Sequence, residues 1–309
     1  MNLECFVLGT GGMMPLPDRH LTSVLLRRDG DLFLFDCGEG TQVSLRKLNL
    51  RWKKISTIFI SHTHADHVTG LPGIMMLSSQ VDRDEPLTII GPPKIAEYVE
   101  ASRKVLDMYI NYEVIVKEIH APGEVFSGDG YRVFAFKLDH TKPCLGYSLV
   151  EDLRPGVFHP EAATSLGVPK GPLWAALQRG ERVTLDSGDC VEPDAVMGEQ
   201  RSGRKFSYVT DTRYLSTIAE SVKDSDLFIC EGMFMEELAE SADEKRHLTA
   251  RQAATIAHDA GGIEKMGLIH YSPRYTRRDL RKMVEEARTI FPATFLTRDQ
   301  QLLEIPHKE

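Results

Sequence analysis

The 309-residue chain is 42% hydrophobic and 27% charged, with 24 glycines, 16 prolines and a formal net charge of −8. This is an ordinary globular composition, with enough chain for one large core or two modest ones, and it excludes disordered, collagen-like and coiled-coil proteins. The acidic balance argues against general adhesion to nucleic acid while leaving room for a local basic patch.

No stretch approaches the ~18 consecutive apolar residues of a membrane span. The opening MNLECFVLGTGG has neither the basic start nor the long apolar run of a secretory signal. Cys5, Cys37, Cys144, Cys190 and Cys230 are scattered and lack C-x-x-C spacing. They read as reduced thiols in a cytoplasmic protein.

In chain order, Leu3–Leu8, Thr22–Arg27 and Asp31–Phe35 are predicted strands separated by turn-forming clusters. Gly9-Thr-Gly11-Gly12 has the look of a dinucleotide loop, but Pro15 and Pro17 stand where its helix would open. It is therefore a tight turn, and no nucleotide cofactor is expected. Ile55–Ser61 reads as a buried strand and Leu71–Gln80 as a helix with Pro72 in its first turn. A helix is predicted over Lys94–Met108 and strands over Tyr112–His120 and Tyr131–His140. Further strands fall at Phe206–Thr210, Leu227–Cys230 and Lys265–His270. Thr249 caps a helix running to Ala260 and stopped by Gly261-Gly262; Thr276, with Asp279 in the first turn, caps another ending near Ile290. Residues 151–204 hold five prolines and no sustained periodicity, and are expected to form an inserted arm protruding from a single domain spanning the chain.

Strand ends in this reading deliver His62, His140, Asp211, Glu231 and His270, one polar group each. Strands mixed with helices, with reactive side chains at strand C-termini, make an α/β active-site arrangement. The densest group is Ser61-His62-Thr63-His64-Ala65-Asp66-His67. Three imidazoles and a carboxylate so close together suit a borderline metal such as zinc. In extended chain His62 and His64 share a face while Asp66 and His67 point elsewhere, so one loop can serve two adjacent ions. His140, Asp211 and His270 complete a donor set of about the size two ions need.

These blocks resemble the metallo-β-lactamase superfamily and, more narrowly, the ribonuclease Z family of tRNA 3′-processing endonucleases. The narrower resemblance rests on Phe35-Asp36-Cys37-Gly38-Glu39-Gly40-Thr41-Gln42, the 61–67 cluster, Gly146-Tyr147, Asp211-Thr212-Arg213, His247-Leu248-Thr249 and His270-Tyr271-Ser272-Pro273-Arg274-Tyr275, in family order over nearly the whole chain. It implies a four-layer αββα sandwich with the site at one edge of two sheets. One zinc is then held by His62, His64 and His140, the other by Asp66, His67 and His270. Asp211 bridges the two ions, and Asp36 orients a ligand histidine from behind.

Two such ions suit hydroxide attack on a phosphodiester. Asp66 or Asp211 accepts the nucleophile's proton. His247, outside the seven ligands, is the candidate acid for the leaving ribose oxygen, and Glu231 keeps it protonated. Arg274 is a candidate substrate contact. In the family an arm between the His140 and Asp211 positions grips the tRNA elbow, and members are commonly homodimers. Lys170, Arg179 and Arg182 are the candidate contacts here, although residues 151–204 carry six Lys/Arg against nine Asp/Glu. Pro15-Leu-Pro-Asp18-Arg19-His20 and Cys230-Glu231-Gly232 stand where many members have Pro-Thr-Lys-x-Arg-Asn and His-Glu-Ala. The same ligands would also serve a hydrolase of small or cyclic phosphodiesters.

Overall fold

The computed structural model describes residues 2–81 and 83–308. In chain order the strands are β1 (Leu3–Gly9), β2 (Ser23–Arg28), β3 (Asp31–Phe35), β4 (Ile55–Phe59), β5 (Leu87–Gly91), β6 (Val114–Glu118), β7 (Gly123–Gly128), β8 (Tyr131–Asp139), β9 (Pro143–Glu151), β10 (Val183–Thr184), β11 (Cys190–Val191), β12 (Lys205–Val209), β13 (Leu227–Glu231), β14 (Met266–Ile269), β15 (Thr294–Leu296) and β16 (Gln301–Glu304). The helices are α1 (Thr41–Lys47), α2 (Ala65–Val68), α3 (Leu71–Ser79), α4 (Ile95–Val105), α5 (Pro160–Ser165), α6 (Pro172–Gln178), α7 (Thr217–Val222), α8 (Ala239–Lys245), α9 (Ala250–Ala260) and α10 (Arg277–Arg288). None of the helices described is long and apolar enough to cross a membrane.

The strands form two seven-stranded mixed sheets, ordered β16-β1-β2-β3-β4-β5-β6 and β15-β14-β13-β12-β9-β8-β7. In each, antiparallel pairing at one end gives way to parallel pairing, β3 to β6 in the first sheet and β12 to β15 in the second. Parallel strands place their C-terminal ends on one edge, which is where the histidines and carboxylates emerge.

Period-two alternation builds the layers. On β3, Phe33 and Phe35 face the second sheet while Leu32 and Leu34 face α1, α3 and α4. On β13, Leu227 and Ile229 face the first sheet while Phe228 and Cys230 face α7, α9 and α10. Strands buried on both faces read as continuous apolar runs, as these do. Three apolar layers thus separate helices, sheet, sheet and helices: the expected four-layer αββα sandwich. The layer between the sheets is aromatic, with Phe35 stacked on Phe59 at 5.0 Å and both against Tyr147.

Element positions depart from the sequence reading in identifiable places. The helix predicted over Lys94–Met108 is shorter, because Lys94 takes φ 79° outside its first turn and the helix stops at Val105. The strand predicted over Tyr112–His120 contracts to β6. β9 lay outside the sequence reading. Its Gly146 interrupts the apolar pattern because a Cβ there would lie 2.4 Å from the Phe136 ring. Ser148 is buried only because its hydroxyl pairs with that of Ser207 on β12 at 2.7 Å.

By its contacts the chain has two compact units. One runs to Val150 and resumes at Arg204, ending at Pro306; the other comprises Glu151–Gly203 and the terminal residues from His307. The second unit has a small core of Ala163, Val168, Leu177, Val183, Val191 and Val196. Trp174, half-buried, packs on Phe158 and donates its indole N–H to Val168 O at 3.0 Å.

Helices α9 and α10 begin as the sequence implied. In each, the Thr hydroxyl accepts from the backbone N–H three residues on, and that residue's side chain accepts from the Thr N–H. Replacing Thr249 by Ala removes the reciprocal pair and should lower unfolding free energy by about 1 kcal/mol, read from urea denaturation.

Candidate metal centre

The cluster begins at Ser61, two residues beyond the end of β4. His64 is extended, with φ −75° and ψ 152°, and α2 starts directly after it. The change from extended chain to helix turns Asp66 and His67 away from the face shared by His62 and His64. Asp211 follows β12, His140 follows β8, and His270 follows β14 in a left-handed turn of φ 62°. That turn brings the His270 ring so close to Gly12 that a Cβ there would lie 2.6 Å from it, which explains this glycine of the 9–12 turn.

Seven donors gather in two sets. In the first, His62 Nε2 and His140 Nε2 lie 2.9 and 3.2 Å from His64 Nδ1, and each is 3.6 Å from Asp211 Oδ2. In the second, His67 Nε2 and His270 Nε2 are 3.2 Å apart and each is 3.3 Å from Asp211 Oδ1. Asp66 Oδ2 joins them at 3.7 and 3.3 Å. Asp211 therefore offers one oxygen to each set. For bonds of about 2.0–2.1 Å a tetrahedral ion has donors ~3.3 Å apart, so this spacing fits two ions.

Protonation fits as well. Burial holds His62 well below its ordinary pKa, lowers His140, and brings His64 down to about 4, so their nitrogens are free to ligate. Burial alone would raise Asp66 and Asp211; the surrounding imidazoles overcome it and hold both carboxylates deprotonated. His67 is the exception. Burial opposes its charge, but Asp211, Asp66 and Asp36 together push its pKa well up. Its proton answers the three carboxylates.

A second ring of contacts orients the donors. Asp36, fully buried and with φ 55°, has Oδ2 2.8 Å from His67 Nδ1. The same carboxylate accepts from Ser61 N, Ser61 Oγ and Tyr208 OH at 2.7, 2.8 and 2.9 Å. His140 Nδ1 lies 2.9 Å from Arg246 O, and Met13 N donates to Asp66 Oδ2 at 2.7 Å. Sequence reasoning found Asp36 but missed Ser61, Tyr208, Arg246 and Met13. Only the position of Ser61, directly before the first histidine of the cluster, signalled one of them.

His247, 9% exposed, has Nδ1 3.1 Å from Glu231 Oε2 and 3.9 Å from Asp211 Oδ2. Burial disfavours its charge, yet Glu231 and then Asp211 more than offset this and raise its pKa to about 9. Glu231 is itself fixed, because Thr212 N donates to Oε1 at 2.7 Å. Arg274 is exposed, with Nε donating to Ser272 Oγ and the guanidinium over Phe234. In the second unit Lys170 is exposed, but Arg179 pairs with Glu181 at 2.8 Å and Arg182 with Glu192 at 3.3 Å. The basic cluster expected there is thus largely offset by its own carboxylates. Trp174 of the same unit is engaged in its core.

Two consequences are measurable. Asp36→Asn should weaken metal affinity by about 10–100-fold in a competition titration with a chelator, since it loosens the His67 ring. Because His67 must lose its proton to ligate, affinity in the intact protein should rise about tenfold per pH unit below that pKa, with a proton released into weak buffer.

The family model described as "Anti-Pycsar protein Apyc1" matches residues 3–149. The "Ribonuclease Z" of Treponema denticola is 63% identical over 309 residues, 100% of both chains. Among solved structures, human tRNase Z, short form, superimposes with a TM-score of 0.72 at 24% identity, over 98% of this chain and 99% of that one. The metallo-β-lactamase fold protein YhfI from Bacillus subtilis gives 0.69 at 18% identity, over 98% and 100%. At those identities the two structures speak for the fold.

Proposed function

The chain belongs to the ribonuclease Z family and is a hydrolytic endoribonuclease that processes the 3′ ends of precursor tRNA; we propose that it does so at two zinc ions, one held by His62, His64 and His140 and the other by Asp66, His67 and His270, with Asp211 shared. The observation that carries this reading is the division of the Asp211 carboxylate, one oxygen toward each donor set. When bound, the ions supply an activated water and neutralise charge on the phosphodiester.

The chain's own groups do the rest. Asp66 or Asp211, both held deprotonated, would accept the proton of the attacking water. Expelling a ribose 3′-oxygen needs an acid, and His247 is charged, buried and beside Asp211. Glu231 fixes its ring through Nδ1 and leaves Nε2 to deliver the proton. Asp36, backed by Ser61 and Tyr208, holds the His67 ring on target. Arg274 and the Glu151–Gly203 unit, with Lys170, Arg179 and Arg182, are assigned to RNA contact, the latter to the tRNA elbow. A homodimer and a cytoplasmic location belong to the same reading; light scattering should give twice the 34.7 kDa of one chain.

The test pairs a precursor tRNA bearing a 3′ trailer with bis-p-nitrophenyl phosphate, both offered to zinc-loaded protein. Asp66→Ala should abolish both reactions. His247→Ala should slow tRNA cleavage by about 10²–10⁴-fold and the small ester far less, because p-nitrophenolate leaves without a proton. Equal losses on both substrates would remove His247 from the acid role. Small-ester hydrolysis with tRNA untouched would move the chain to small phosphodiesters.

A further inference from the structure

A cavity of about 490 Å³ lies between the turn at residues 10–19, the first turns of α10 and the residues after β15. Four arginines line it: Arg19, Arg277, Arg281 and Arg298. Arg277 pairs with Asp18 at 2.8 Å, where both are exposed. The other three have no carboxylate within 4.0 Å among the described residues. Asp299, also in the wall, is engaged by the turn and accepts from Thr10 Oγ1 at 2.7 Å and His20 N at 2.6 Å.

Arg19 is the telling member. It is only 7% exposed, and its five N–H donors meet two carbonyl oxygens, of Ser272 and Tyr275, both at 3.4 Å. Its guanidinium otherwise lies 5.7 Å from the centroid of the Tyr271 ring. A guanidinium so little engaged by the protein keeps donors available to an anion in the cavity. The guanidinium fork matches the oxygens of a phosphate, and Arg281 and Arg298 share the same space.

We propose that this cavity is a phosphate site that takes the RNA backbone beside the phosphodiester being cut. The inference rests on the ribonuclease reading of the metal centre and adds a second point of attachment. Continuity with that centre supports it. Tyr271 in the wall follows His270 directly, Tyr271 N donates to Thr10 O at 2.9 Å, and Gly12 N donates to Tyr271 O at 3.1 Å. The cavity wall and a metal-set histidine are thus neighbours along one piece of backbone, which is why RNA is the phosphate source proposed.

The test measures kcat/KM of the zinc-loaded enzyme against KCl for precursor tRNA and for bis-p-nitrophenyl phosphate, in the unmodified protein and in R281A/R298A. Arg19 is left intact because its burial makes it a folding risk. Arg278→Ala serves as the control, removing a charge from the same helix outside the cavity. On tRNA the double variant should lose about tenfold, chiefly in KM, and its log–log salt slope should fall by about 1. The ratio of tRNA to small-ester activity should fall with it, and Arg278→Ala should keep the original slope. An unchanged ratio and slope would overturn the proposal. So would a double variant whose calorimetric binding of inorganic phosphate weakens while its tRNA slope stays put, for the cavity would then serve a free anion. If the unmodified protein leaves tRNA uncut while hydrolysing the small ester, the functional reading fails and the RNA assignment of the cavity fails with it. A changed slope in an enzyme that does cut tRNA tests the cavity alone.

Discussion

Buried negative charge is the constraint around which this molecule is arranged. Asp36 and Glu231 are fully buried, Asp211 is 2% exposed, and Asp66 stands beside them. Carboxylates taken out of water cost several kcal/mol each unless cations or donors answer them. The protein answers with His67, whose pKa rises, with His247 against Glu231, and with backbone or hydroxyl donors from Met13, Ser61, Thr212 and Tyr208. What remains is Asp211, with one oxygen toward each of two histidine-bearing donor sets, an arrangement that suits divalent cations.

The fold makes this concentration possible. Parallel strands β4, β12, β13 and β14 end on one edge, so side chains distant in sequence converge without long loops. Two turns then aim the donors by adopting left-handed backbone at non-glycine residues, Asp36 and His270. Such conformations persist where surrounding structure over-determines them, and they cluster at functional sites. The aromatic layer between the sheets does the holding: Phe35 leads into Asp36, and Tyr208 extends from that layer to the Asp36 carboxylate. Hydrophobic packing and metal geometry are thus coupled through a single buried residue.

Charge outside the centre follows a different rule. In the second unit Arg179 and Arg182 are matched by neighbouring carboxylates at the surface, where such pairs contribute little to stability and are screened by salt. Around the cavity beside the 10–19 turn, Arg19, Arg281 and Arg298 have no such match among the described residues. Net charge therefore says little about where this acidic protein meets an anion; the local pairing decides.

Local pattern marked the types of several elements and the candidate donors. Period-two runs marked β1 to β4 and β12 to β14, Thr249 and Thr276 marked two helix starts, and the dense 61–67 cluster announced a metal before any fold was known. Those signals are local, set by neighbours a few residues apart. β9 escaped because Gly146 and Ser148 are explained only by Phe136 and Ser207 across the sheet. The ring nitrogen each histidine presents, the split of Asp211 between two sets, and the roles of Ser61, Tyr208 and Arg246 were decided by tertiary structure alone. Each depends on which strand ends meet, and on the low dielectric that burial creates around them, and neither is written in the spacing of residues along the chain.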